Sequence, residues 1–251
     1  VTDPENLNKV LIDITSATPR SVGDVVERLE AVQQNAETRE PRYHEDGVAC
    51  FNYLYAMVTR DVRDKLQQGG YFVDHEFLST LDVEFAKRYL SAVGGHAASL
   101  PTPSSWSVLF HHRDAMSVKP IQFAVAGVNA HVNYDLAFAL VETCRALGQP
   151  LGQGSQHDDY LKINEIFAYH MRELRQHFED KFQREIDRWF VAGLADDAGD
   201  LTVVLARDAA WRRAERLWAL RENAEEMAKE DKAIDWRVSM TSRGILAFRL
   251  I

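Results

Sequence analysis

Residues 119–148, KPIQFAVAGVNAHVNYDLAFALVETCRALG, constrain this chain more than any other stretch. At helical spacing the segment is apolar on nearly every side, and a helix of that kind has to lie inside its protein. Yet it carries Gln122, Asn129, His131, Asn133 and Asp135. A buried polar group without a partner costs about 1–3 kcal/mol, so another element or a ligand must answer each of these side chains. Pro120 suits a first helical turn, and Gly148 with Pro150 ends the segment. The stretch predicts an all-α fold, a compact multi-helix domain packed around one central helix with a polar centre.

The flanking sequence supplies the surrounding helices. Residues 1–20 read as an N-terminal arm, and residues 21–251 as a single helical domain. Ser21 and Asp46 stand where helix N-caps belong, and Gly69-Gly70 where a helix ends. Leu78, Leu81, Phe85, Tyr89 and Val93 form the apolar stripe of a helix that Gly94-Gly95 is expected to stop. Ser104 or Ser105 is expected to cap a short helix containing Trp106. From Asp158 an amphipathic helix is predicted to about residue 192, with Tyr160, Ile163, Ile166 (or Phe167), His170, Leu174, His177 and Phe178 on its inner side. An acidic turn then leads to Asp200, expected to cap one long helix over 201–230. The apolar tail ILAFRLI leans helical.

Composition excludes several function classes. A net charge of −9 argues against nucleic-acid binding, which needs clustered cations. Neither a Walker loop nor a G-x-G-x-x-G turn is present, so no nucleotide cofactor is expected. No apolar run is long enough to span a membrane, and no signal-type segment opens the chain, which reads as cytoplasmic. The two cysteines, Cys50 and Cys144, fall in apolar helical patterns and read as small buried hydrophobes.

Chemistry concentrates on the central helix. His131 and Asp135 are one turn apart, so their side chains share a face, while Gln122, Asn129 and Asn133 cluster on the opposite side. An imidazole and a carboxylate at this spacing suit a divalent metal such as zinc, iron or manganese. His157 and Asp159 arrive on a Gly-rich loop straight after the helix and complete a candidate ligand set of His131, Asp135, His157 and Asp159. The same pair also reads as a buried hydrogen-bonded couple. Asn129 and Asn133, with the aromatics Tyr134, Phe138, Trp211 and Trp218, are candidate substrate-binding residues. Arg207 and Asp208, one turn before Trp211, become a functional sign if they open onto the polar centre.

Several segments together, DGVACFNYLYAMVT, PIQFAVAGVNAHVNYDL, HDDYLKIN and RDAAWRRAERLW, resemble a family of actinobacterial proteins of unknown function, from about residue 22 to the C-terminus. The resemblance implies a compact helical domain and brings no activity with it. The helical H-x-x-x-D of His131 and Asp135 is also similar to a zinc-ligand element of the phospholipase C fold. This chain departs from that pattern in lacking its N-terminal Trp ligand and its H-x-x-x-E element.

Three functions follow from these residues. The first is a metal-dependent enzyme acting on a small, partly apolar substrate by hydrolysis or related chemistry. The second is a metal-free helical pocket that binds a small apolar ligand, or cyclises or isomerises it with His131 and Asp135 as catalytic acid and base. The third is a structural or partner-binding helical protein.

Overall fold

A computed structural model describes residues 3–170 and 196–248, and among them every regular element is helical. The fold is all-α. The helices are α1 (Pro4–Ser16), α2 (Val22–Glu37), α3 (Gly47–Gln68), α4 (His75–Ala97), α5 (Ser104–His112), α6 (Pro120–Ala130), α7 (Leu136–Leu147), α8 (156–170), α9 (Asp196–Leu220) and α10 (Ala224–Ala247). One turn of π-helix, His131–Asp135, joins α6 to α7. The predicted central helix is therefore one rod with a widened turn in its middle. The inner positions Leu174, His177 and Phe178 lie outside the described residues.

Local chemistry accounts for most boundaries. The side chains of Ser21 and Asp46 accept backbone N–H groups of the first turns of α2 and α3, and Gly69 ends α3 at a φ of 71°. Three boundaries differ from the sequence expectation. Helix α4 runs through Gly94-Gly95 to Ala97, because Gly94 serves close approach instead of termination: a Cβ there would strike the Thr15 side chain of α1. Neither Ser104 nor Ser105 caps α5 with its own hydroxyl. Asp235 of α10 instead accepts both backbone N–H groups at 2.8 Å. The expected single helix over 201–230 is two. Helix α9 already begins at Asp196, and the chain breaks after Leu220, where Asn223 caps α10 by accepting the N–H of Glu226 at 3.1 Å.

Packing follows from the central rod. Its first half gives Phe123, Ala126 and Ala130 to one apolar core, with Phe51, Tyr89 and Trp106. Its second half gives Leu136, Ala137 and Leu140 to another, with Phe77, Tyr160 and Trp211. The polar stripe of Gln122, Asn129 and Asn133 faces α10, as a network. The Gln122 amide donates to the carbonyls of Ile245 and Phe248 at 2.6 and 2.8 Å, and that of Asn129 to Val238 O and Ser242 Oγ at 3.0 and 2.9 Å. Asn133 donates to Asn129 Oδ1 at 3.0 Å. The N-terminal arm is α1, which buries Leu7 and Leu11 against the body.

Helices α3 and α6 touch at Gly127, where a Cβ would overlap the ring of Phe51. Overpacking a core typically costs about 1–3 kcal/mol. Gly127→Ala is expected to lose stability of that order in urea unfolding, and an unchanged midpoint would show that the two helices do not pack this closely.

Candidate functional site

The π turn sits where the two cores meet, and its widened geometry presents His131 and Asp135. Widened turns of this kind recur at functional sites. Asp135 is almost wholly buried and is held from three directions. Arg88 Nε of α4 donates to Oδ1 at 3.1 Å, Trp106 Nε1 of α5 donates to Oδ2 at 2.9 Å, and His131 Nδ1 lies 3.1 Å from Oδ2. A carboxylate receiving two N–H groups acts as acceptor toward the imidazole too, which assigns the ring proton to Nδ1. The lone pair of His131 is then on Nε2. Burial pushes the His131 pKa below its ordinary value, against the opposing pull of Asp135. The ring is neutral and stacked on Phe85, with centroids 3.5 Å apart, and Tyr55 meets it edge-on at 4.4 Å.

His131 forms one wall of a cavity between α3, α4, the central rod, α8 and α9. Its walls are chiefly apolar, including Leu54, Val58, Leu81 and Phe167. Four of its lining residues nevertheless carry buried polar atoms without a well-formed hydrogen bond: Tyr55 OH, Thr59 Oγ1, Asp82 Oδ2 and His131 Nε2. The Tyr55 and Thr59 hydroxyls lie close enough to influence each other. Burial raises the Asp82 pKa to about 8, so at neutral pH this acid is mostly protonated. Burial also raises the Tyr55 pKa. Buried polar atoms are nearly always satisfied in folded proteins, by protein groups or by ordered water.

The structure brings some predicted residues together and separates others. His131 and Asp135 form the pair their spacing implied, and Arg207 lines the same cavity, whereas Asp208 does not line it and pairs with Arg212. Asp159 is engaged elsewhere: its Oδ2 accepts the backbone N–H groups of Val73 and Asp74 at 2.8 and 2.6 Å, and Lys162 donates to Oδ1 at 2.8 Å. His157 packs on Trp211, with ring centroids 4.6 Å apart. Among the described residues no three His, Cys, Asp or Glu side chains converge as metal ligands. Asn129 and Asn133 serve the α10 network. Tyr134 and Phe138 lie under the guanidinium of Arg88 in a cleft on the other side of Asp135, and the Tyr134 hydroxyl donates to Asp231 at 2.9 Å. Trp211 and Trp218 belong to the second core, and neither lines the His131 cavity. Both cysteines are buried free thiols, and burial raises the pKa of each.

Sequence reasoning passed over Asp82 and Arg88. Asp82 falls on the inner stripe of α4, four residues after Leu78 and three before Phe85, and an acid on an apolar meridian was the available signal. Arg88 lies one turn beyond Phe85 on a neighbouring meridian.

Comparison with known proteins adds a family. Residues 22–248 match the family of unknown function DUF5995. The chain belongs to this family. The DUF5995 match covers every helix from α2 to α10 and both halves of the central rod. No curated protein and no solved structure matches the chain, so the analogy with zinc phospholipase C gains no support. No helix among the described residues is long and apolar enough to cross a membrane.

Asp82 makes stability depend on pH. An unfolded Asp titrates near pH 4, whereas the folded value is about 8. Between these values the folded state holds a proton that the unfolded state has lost, so stability falls as pH rises through the window and levels off above it. Asp82→Asn removes this term. The urea midpoint of the variant is expected to gain on the wild type between about pH 5 and about pH 9. A constant difference would show that Asp82 is ionised in the fold.

Proposed function

We propose that this protein binds a small, largely apolar molecule in the cavity at the π turn, without a metal. The observation that carries this reading is that Tyr55 OH, Thr59 Oγ1, Asp82 Oδ2 and His131 Nε2, all buried and short of well-formed hydrogen bonds, belong to residues lining one apolar-walled space. The cavity has about 70 Å³ of room for water-sized spheres. A single water needs about 10–15 Å³ on that measure and occupies about 30 Å³ of liquid, so the space matches an organic molecule of about eight to ten heavy atoms. Apolar walls with a few convergent polar groups are the usual makeup of small-molecule sites.

Acid–base chemistry is a second reading, favoured by the opposite protonation of two groups at the same cavity. Neutral His131 has a lone pair on Nε2 to take a proton, and protonated Asp82 has one to give. Taking a proton from one position of a bound molecule and returning one at another is an isomerisation. Asp135 orients the imidazole in such a step and is itself held by three groups.

The test is 15N-histidine NMR and thermal melting with a panel of apolar alcohols, acids and amides of about this size. Binders are expected to move the His131 Nε2 resonance and raise the melting temperature. Val128→Phe, confirmed as folded by circular dichroism, is expected to abolish both effects. A panel that leaves the His131 signals and the melting temperature unmoved at millimolar concentration would overturn the pocket.

A further inference from the structure

Arg207 is the one cation among the described residues that line the cavity, and its surroundings bear on which molecules fit. Arg207 of α9 is buried, with 5% of its surface exposed, and lines the cavity. Its partners are all neutral. Nε donates to Asn164 Oδ1 at 2.7 Å, a terminal nitrogen donates to the Tyr160 carbonyl at 3.0 Å, and the guanidinium lies 4.3 Å from the centre of the Tyr160 ring. Among the described residues no carboxylate pairs with it. Arginine keeps its charge in proteins, and a buried charge is costly unless it is paired. Asp82, the acid that also lines the cavity, gives no compensation at neutral pH, since burial keeps it mostly protonated. The neutral bonds from Tyr160 and Asn164 fix the plane of the guanidinium, as a site does when it presents a fork of N–H donors to a planar anion.

We infer that the ligand is a monocarboxylate, its carboxylate paired with Arg207 and its apolar body filling the space between Leu54, Val58, Leu81 and Phe85. This rests on the pocket reading above and narrows it. A planar carboxylate suits the guanidinium fork, and the small volume favours a short aliphatic or single-ring acid over a phosphate ester or a long chain. The hydroxyls of Tyr55 and Thr59, the Asp82 acid and His131 Nε2 then meet any further polar groups of the molecule.

Calorimetric titration of the purified full chain at neutral pH tests this, with hexanoate and phenylacetate against their primary amides. The amides match the acids in shape and lack only the charge. The wild type is expected to bind each acid about tenfold or more tighter than its amide. Arg207→Gln is expected to erase that preference, and Arg207→Lys to keep part of it. Acid and amide binding equally well to the wild type would overturn the carboxylate and leave the pocket standing. No binding by acid or amide, together with unmoved His131 resonances, would overturn the pocket and this inference with it. The wild-type comparison alone decides the matter if the Arg207 variants fail to fold.

Discussion

The structure depends on one buried carboxylate. Asp135 lies almost wholly out of water, and burying such a charge is favourable only when the geometry satisfies it. Arg88, Trp106 and His131 do so from α4, α5 and the π turn. Each N–H donor is committed by this contact, so loss of the carboxylate would strand an indole N–H and an imidazole N–H in an apolar interior. The same contact sets the imidazole tautomer. A single interaction thus ties three elements together and decides which nitrogen of His131 remains for a ligand.

The electrostatics around the π turn divide into two halves. On the Asp135 side a carboxylate, a guanidinium and two N–H donors satisfy one another. On the cavity side, among the described residues, the acid is mostly protonated at neutral pH and the imidazole neutral, while Arg207 keeps its charge. Burial produces both arrangements: pairing preserves charge where a partner is near, and proton transfer removes it where none is. Phe85, stacked on His131, belongs to the cavity side.

The sequence foretold what spacing along the central segment decides. The rod, its polar stripe toward a neighbour and the His131–Asp135 couple all follow from spacing along one segment, and each is present. It misled where a residue's purpose lies in another segment. Gly94 has the look of a stop signal and is instead the place where α1 passes close to α4. Asp159 follows the rod in sequence, yet it accepts the backbone N–H groups of Val73 and Asp74, more than eighty residues earlier in the chain. Asp82 sits on the inner stripe of α4 and Arg88 beside it, but their neighbours come from other helices, so their roles are not written in their own segment. The cavity is assembled from five segments, and no local pattern records how they meet.

The rod gives its first half to one core and its second half to the other, through an unbroken backbone. Neither half of the molecule can therefore be shed, duplicated or exchanged between genes as a module, because each would carry away half of a helix with its apolar faces bare. The family match, a single span from residue 22 to residue 248, includes both halves of the rod.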